Sequence, residues 1–243
     1  MDSQLIHCLW LGACFLLLFA SGELLYHKFG VRAEYTRKLI HIGTGILTLL
    51  FPVFLRSHWY VLLLCGSFAL ILLVSLKYNL LKSINAIDRK SHGSISYPIA
   101  VYSTFLFFDF FSGETAQKAY FYIPVLTLAL CDPIAALGGK RWPWKPYKVG
   151  NGTKTMTGSI LFFVSATVLS IALLATLSTT SGLSLVLLSM CIALVTSVTE
   201  AMSRNGFDNL LIPFAAILVL YTATYIELYS PETFICELPA TAL

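Results

Sequence analysis

A chain of 243 residues that is 57% hydrophobic and only 12% charged, with a mean hydropathy of +0.79, lies outside the composition of water-soluble domains, where about a quarter of residues are charged. The formal net charge of +4 is a matter of membrane topology, and no nucleic-acid partner is expected. The fold class expected is all-α: a polytopic membrane helical bundle of about eight transmembrane helices, forming a single integral membrane domain over residues 1–243.

Apolar stretches of about 20 residues, the length that crosses a hydrocarbon core of about 30 Å, fall at about 4–26, 38–55, 59–77, 96–112, 119–138, 157–178, 183–201 and 209–229. The first ends in small residues, Ala20-Ser21-Gly22, as a cleaved signal peptide would, but it lacks a basic n-region and reads as a retained helix. The second opens with Arg37-Lys-Leu-Ile-His-Ile-Gly-Thr-Gly45. Arg37 and His41 are four residues apart and share a helical face with Thr44 and Gly45, and Lys38 has the spacing to pair with Glu34. Gly43 and Gly45 read as packing glycines.

The fifth span carries Asp132 at its end. A carboxylate in this solvent costs several kcal/mol unless a cation, a metal or water meets it, which makes each intramembrane acid a functional candidate. Pro133 supplies no N–H, so the carbonyl of Ala129, four residues earlier, is expected to lack its helical donor. Small residues follow at Ala135, Ala136, Gly138 and Gly139, allowing close approach of a helix or a ligand.

The loop Lys148-Val-Gly-Asn-Gly-Thr-Lys-Thr-Met-Thr-Gly-Ser159 then leads into the sixth span. Free N–H groups at a helix start, with Lys154 beside them, make a phosphate receptor, although GxxxxGK[ST] is absent. The seventh span closes with Glu200. A short turn containing Arg204 leads to Asp208 and Asn209 at the start of the eighth, where Pro213 frees the Asn209 carbonyl and repeats the polar-plus-proline arrangement of Asp132.

Lys and Arg fix the expected orientation, because cytoplasmic loops retain them. Fourteen of the sixteen lie in alternate loops, among them Arg89, Lys90, Lys140 and Lys154, and only Arg56 and Lys118 lie in the others. Both termini are then expected outside the cytoplasm, in agreement with the acidic tail of Glu227, Glu232 and Glu237. The candidate polar groups all fall on the cytoplasmic side. The six cysteines show no CxxC spacing, and all but Cys236 sit in apolar spans, so neither a zinc site nor a disulfide framework is expected.

Four elements in order, Arg37-Lys38-x-x-His41-x-Gly43-x-Gly45, Asp132-Pro-x-Ala-Ala-x-x-Gly139-Lys140, Lys154-Thr155-x-x-Gly158-Ser159 and Glu200 followed by Asp208-Asn209-x-x-x-Pro213, cover about three quarters of the chain. Together they resemble the CTP-dependent polyprenol, phytol and dolichol kinase family, which also contains the yeast-type diacylglycerol kinase and is related to the phosphatidate cytidylyltransferases. The resemblance implies phosphorylation of a membrane alcohol by CTP or another nucleoside triphosphate, with Mg²⁺ or another divalent cation as cofactor. For such chemistry Asp132, with Asp208 or Glu200, is the expected metal ligand set. Lys140, Lys154 and Arg204, with Arg37, Thr155, Ser159 and Asn209, are the expected phosphate and nucleotide contacts. His41 or an acid (Asp132, Asp208) accepts the alcohol proton. In a bacterium the expected location is the inner membrane, with the site facing the cytoplasm, and a homo-oligomer is compatible with such a bundle. A cytidylyltransferase would use the same nucleotide differently, and a transporter would use intramembrane acids near the midplane, where these acids instead gather toward one face.

Overall fold

The computed structural model describes residues 3–86, 93–111, 118–150 and 152–226. Arg89, Lys90, Asn151, Cys236 and the acidic residues Glu227, Glu232 and Glu237 lie outside the described residues. The elements in order are α1 (Ser3–Phe29), α2 (Ala33–Thr48), α3 (Phe51–Phe54), α4 (His58–Lys77), the single turn α5 (Lys82–Asn85) and α6 (Gly93–Phe111). α7 (Ala119–Leu126) then runs through a π-helical segment (Thr127–Cys131) into α8 (Asp132–Arg141). A hairpin of β1 (Pro146–Val149) and β2 (Gly152–Thr155) precedes α9 (Met156–Leu177), α10 (Gly182–Met202) and α11 (Asp208–Tyr225).

The protein is an all-α polytopic bundle. Seven helices among the described residues are long and apolar enough to cross a membrane: α1, α2 with α3, α4, α7 with α8, α9, α10 and α11. The remaining expected span is the 19-residue helix α6. Its sequence is less uniformly apolar than theirs, with Ser94, Ser96, Tyr97, Pro98, Thr104 and Asp109 along it.

The α7–α8 span is the hub. In its apolar window 67% of residues are buried, against 50% or less in each of the other six spans. One core, centred on α1 to α4 and α6 and reaching α7 to α9, includes Phe15, Phe19, Phe51 and Phe68, with the Phe15 and Phe68 rings 5.2 Å apart. A second lies between α7, α10 and α11, where the buried Tyr120 hydroxyl meets Thr224 Oγ1 at 2.8 Å. A buried tyrosine needs such a partner for its hydroxyl.

Water-driven burial does not hold helices together in lipid, so close packing at small residues takes a larger share. Gly43 and Gly45 act in this way. A Cβ on Gly43 would come 2.8 Å from Leu18 of α1, and one on Gly45 would come 2.2 Å from the Ala129 Cβ in the π segment. In the hairpin, Val149 pairs with Gly152, and the tight reversal puts Gly150 at φ +59°, a conformation that favours glycine.

Gly45→Ala is therefore expected to destabilise the bundle by about 1–3 kcal/mol through overpacking. Gly66→Ala is the control: a Cβ there meets nothing within 4 Å, and the change is expected to be neutral or to add up to about 1 kcal/mol of helix stability. Thermal unfolding of both variants in one detergent compares them. Equal melting temperatures would remove the packing role of Gly45.

Candidate functional site

The site begins with Pro133. In an α-helix its missing N–H would orphan the Ala129 carbonyl, as expected from the sequence. The chain here is π-helical over Thr127–Cys131, and in that register the donor lies five residues on, so the carbonyl that faces Pro133 is Leu128. His41 takes that carbonyl, with Nε2 3.0 Å from the Leu128 oxygen. A carbonyl only accepts, so Nε2 carries the proton, and Nδ1 of the neutral ring keeps its lone pair. The His41 ring stands edge-on to Tyr97, with centroids 4.8 Å apart.

Asp132 is buried one turn further on. Lys38 Nζ lies 2.5 Å from its Oδ2, and His41 Nε2 lies 3.9 Å from the same oxygen. Lys38 therefore pairs with Asp132 and not with Glu34 as its spacing suggested, while Glu34 pairs with Lys140. Exposure explains the exchange. The Lys38 and Asp132 side chains are 13% and 8% exposed, so leaving either unpaired is strongly unfavourable. Lys140 and Glu34 are 63% and 40% exposed, and water screens them.

The hairpin carries Lys154 across to α10. Its ammonium lies 2.7 Å from Glu200 Oε1 and also donates to the Glu200 backbone carbonyl. Thr155 caps α9: its Oγ1 accepts from the Gly158 amide at 3.1 Å, so part of the helix start expected to receive phosphate is already satisfied. Ser159 Oγ is 2.7 Å from the Tyr147 hydroxyl of β1. Gly139 and Gly158 let α8 and α9 touch by their backbones, since a Cβ on Gly139 would come 2.6 Å from Thr155 Oγ1 and 3.3 Å from Gly158 Cα.

At the start of α11, Asp208 Oδ1 accepts from the Asn209 amide at 3.1 Å. The buried Asn209 side chain donates to the Gly93 carbonyl at 2.8 Å, which ties α11 to the start of α6. Arg204, expected among the phosphate contacts, is exposed and lies against Gly150 of the hairpin turn, outside the cavity lining.

The other candidates meet. Arg37, His41, Asp132, Lys140, Lys154, Thr155, Ser159, Glu200, Asp208 and Asn209 all line one cavity of about 320 Å³ at a single end of the bundle. Its wall is charge-balanced: Glu34, Asp132, Glu200 and Asp208 face Arg37, Lys38, Lys140 and Lys154. Among the described residues, no three His, Cys, Asp or Glu side chains are grouped closely enough to hold a metal by themselves. Sequence reasoning did not place Lys38, Glu34 or Tyr147 among the site residues. For Lys38 a signal existed, because it sits three residues before His41 on the same helical face.

A curated relative, phytol kinase of Synechocystis sp., is 29% identical over 199 residues, covering 81% of this chain and 82% of its own. The chain is similar to this kinase along most of its length. No family model matches the chain, and no solved structure does. The alignment covers most of both chains, so the similarity is not confined to one segment.

The Lys38–Asp132 pair supports a double-mutant test. Lys38→Met, which leaves Asp132 buried and unpaired, is expected to cost about 3–5 kcal/mol, and adding Asp132→Asn to recover most of that loss. Denaturant unfolding in detergent measures all four corners of the cycle. Strictly additive losses would mean that the two side chains do not interact.

Proposed function

We propose that the protein is a membrane-embedded kinase that transfers the terminal phosphate of a nucleoside triphosphate, CTP in this reading, to the hydroxyl of a membrane lipid alcohol. Phytol is the first acceptor to test, since the Synechocystis relative is named for it. The observation that carries the reading is the one cavity in which Asp132, Glu200 and Asp208 converge with the lysines of α2, α8 and the hairpin. Phosphoryl transfer asks for this kind of site, because it needs charge neutralisation and alignment more than covalent chemistry.

The residues divide the work. Lys140, Lys154 and Arg37 contact phosphate oxygens, and Ser159 with the hairpin backbone orients them. The alcohol oxygen attacks the γ-phosphorus, the bond to the β,γ-bridging oxygen breaks, and the nucleoside diphosphate leaves. His41 receives the alcohol proton at Nδ1, and Asp132, 3.9 Å from Nε2, stabilises the imidazolium that results.

A divalent cation fits this wall. Because the cavity is balanced before any ligand enters, a polyphosphate must break existing ion pairs or arrive with positive charge. Mg²⁺ is held through one or two carboxylates together with phosphate oxygens and water. Asp208, with Asp132 or Glu200, would hold it, and when bound it would neutralise charge on the phosphates.

The reaction is tested by incubating purified protein and phytol with CTP labelled at the γ or the α position. Label is expected in the lipid only from the γ position. Asp132→Asn and His41→Ala are each expected to lower kcat by about 10²–10³. Lipid labelled only from the α position, with phosphatidic acid as acceptor, would assign a cytidylyltransferase instead. The cytoplasmic orientation is tested with Lys148→Cys on the exposed hairpin, in a variant whose native cysteines have been replaced. An impermeant thiol reagent is expected to label it only from the cytoplasmic face, and labelling only from the opposite face would reverse the topology.

A further inference from the structure

The connection from α8 into the hairpin reads Arg141-Trp-Pro-Trp-Lys145-Pro-Tyr-Lys148. Residues 140–154 hold five basic side chains and no acid, and the nearest acids along the chain are Asp132 and Glu200, both already paired. Lys140 and Lys154 belong to the polar cavity. Arg141, Lys145 and Lys148 are exposed and meet no carboxylate among the described residues. Trp142 and Trp144 stand between them, 63% and 53% exposed. We propose that Arg141, Trp142, Trp144, Lys145 and Lys148 form a docking surface for the headgroups of anionic phospholipids. The inference lies outside the polar cavity and does not depend on the kinase reading.

Position supplies the first argument. The α7–α8 span ends at Arg141 and the α9 span begins at Met156. The chain between them leaves the bilayer and re-enters it, which sets it at the level of the headgroups, where the amphipathic ring of Trp is favoured. Composition supplies the second. The Arg141 guanidinium carbon lies 5.9 Å from the centre of the Trp142 ring, and the Lys145 ammonium lies 4.9 Å from that of Trp144. Each pair sets a cation beside a flat apolar face. A lipid phosphate can then meet the charge while the ring meets the top of the acyl chains.

The backbone beneath the patch supplies the third. The Trp142 amide donates to the Gly138 carbonyl at 2.9 Å, and the Met156 amide donates to the Trp144 carbonyl at 3.1 Å. Pro143 and Pro146 fix two further backbone angles. Docking therefore has little backbone left to order. Charge decides the occupant. A second copy of this chain would oppose one basic face with another, which is unfavourable. A soluble anion would find no enclosure among side chains this exposed, whereas a bilayer offers many phosphates in one plane.

The test places the full chain, with Trp10→Phe and Trp59→Phe, in nanodiscs of phosphatidylcholine mixed with phosphatidylglycerol, so that Trp142 and Trp144 alone fluoresce. One or the other lipid carries bromine near the top of its acyl chains. At equal mole fraction, brominated phosphatidylglycerol is expected to quench with an apparent affinity at least about fivefold higher, the gain one basic residue brings at an anionic surface. High salt is expected to reduce that preference. The triple variant Arg141→Gln/Lys145→Gln/Lys148→Gln is expected to lose it while both lipids still quench, which shows that the rings remain at the interface. Equal quenching by the two lipids in the unaltered patch, no quenching by either, or an undiminished preference in the triple variant would overturn the proposal. So would full competition by soluble glycerol phosphate at matched ionic strength, which would make the patch a site for free phosphate. Rings open to acrylamide in discs with one copy and protected only in discs with two would assign the face to a second copy instead.

Discussion

A carboxylate buried in an apolar span has to be answered by a cation, and in this bundle Lys38 answers Asp132 at 2.5 Å. The pair joins α2 to the most buried span of the molecule. Because removing either partner leaves an uncompensated charge in a poor solvent for it, α2 has little freedom to rotate or slide. Gly45 closes the same contact one face further along, where α2 lies against Ala129. His41 is held between these two points.

The proline beside Asp132 sets the second condition. By shifting the local ladder to the π register it moves the orphaned carbonyl to Leu128, and that carbonyl determines which nitrogen of His41 carries hydrogen. One residue type thus ends a regular helix, positions an acid and selects a tautomer. The opposite wall repeats the electrostatic logic through a different element: the hairpin exists to bring Lys154 to Glu200, with Gly139 and Gly158 allowing α8 and α9 to approach closely enough for the short connection.

These pairs leave a cavity whose charges cancel before any ligand arrives. Such a wall discriminates against a bare polyanion and favours one that brings its own counter-charge, since otherwise ion pairs already made must be broken. An apolar slot that shares Arg37, His41 and Asn209 with it adds a boundary between high and low polarity at His41.

The membrane class, the set of spans and nearly all the residues of the cavity were legible in the sequence, because charged and proline residues are rare enough in apolar helices to stand out one by one. Spacing along one helix was a poorer guide to partners. It matched Lys38 with Glu34, four residues away, whereas the fold offers Lys38 a buried carboxylate 94 residues on, and desolvation makes that the stronger demand. The orphaned carbonyl is Leu128 and not Ala129 because the segment before Pro133 is π-helical, a register that residue spacing alone does not announce. Arg204 looked equivalent to Lys154 as a basic residue beside an acid, but the hairpin turn draws it onto Gly150. What the sequence by itself determined was the solvent, the apolar spans and the chemical inventory of the site, since each follows from residue type and order. Which charge neutralises which and where the imidazole proton sits were decided only by tertiary structure, because each depends on the distance between helices far apart in the chain.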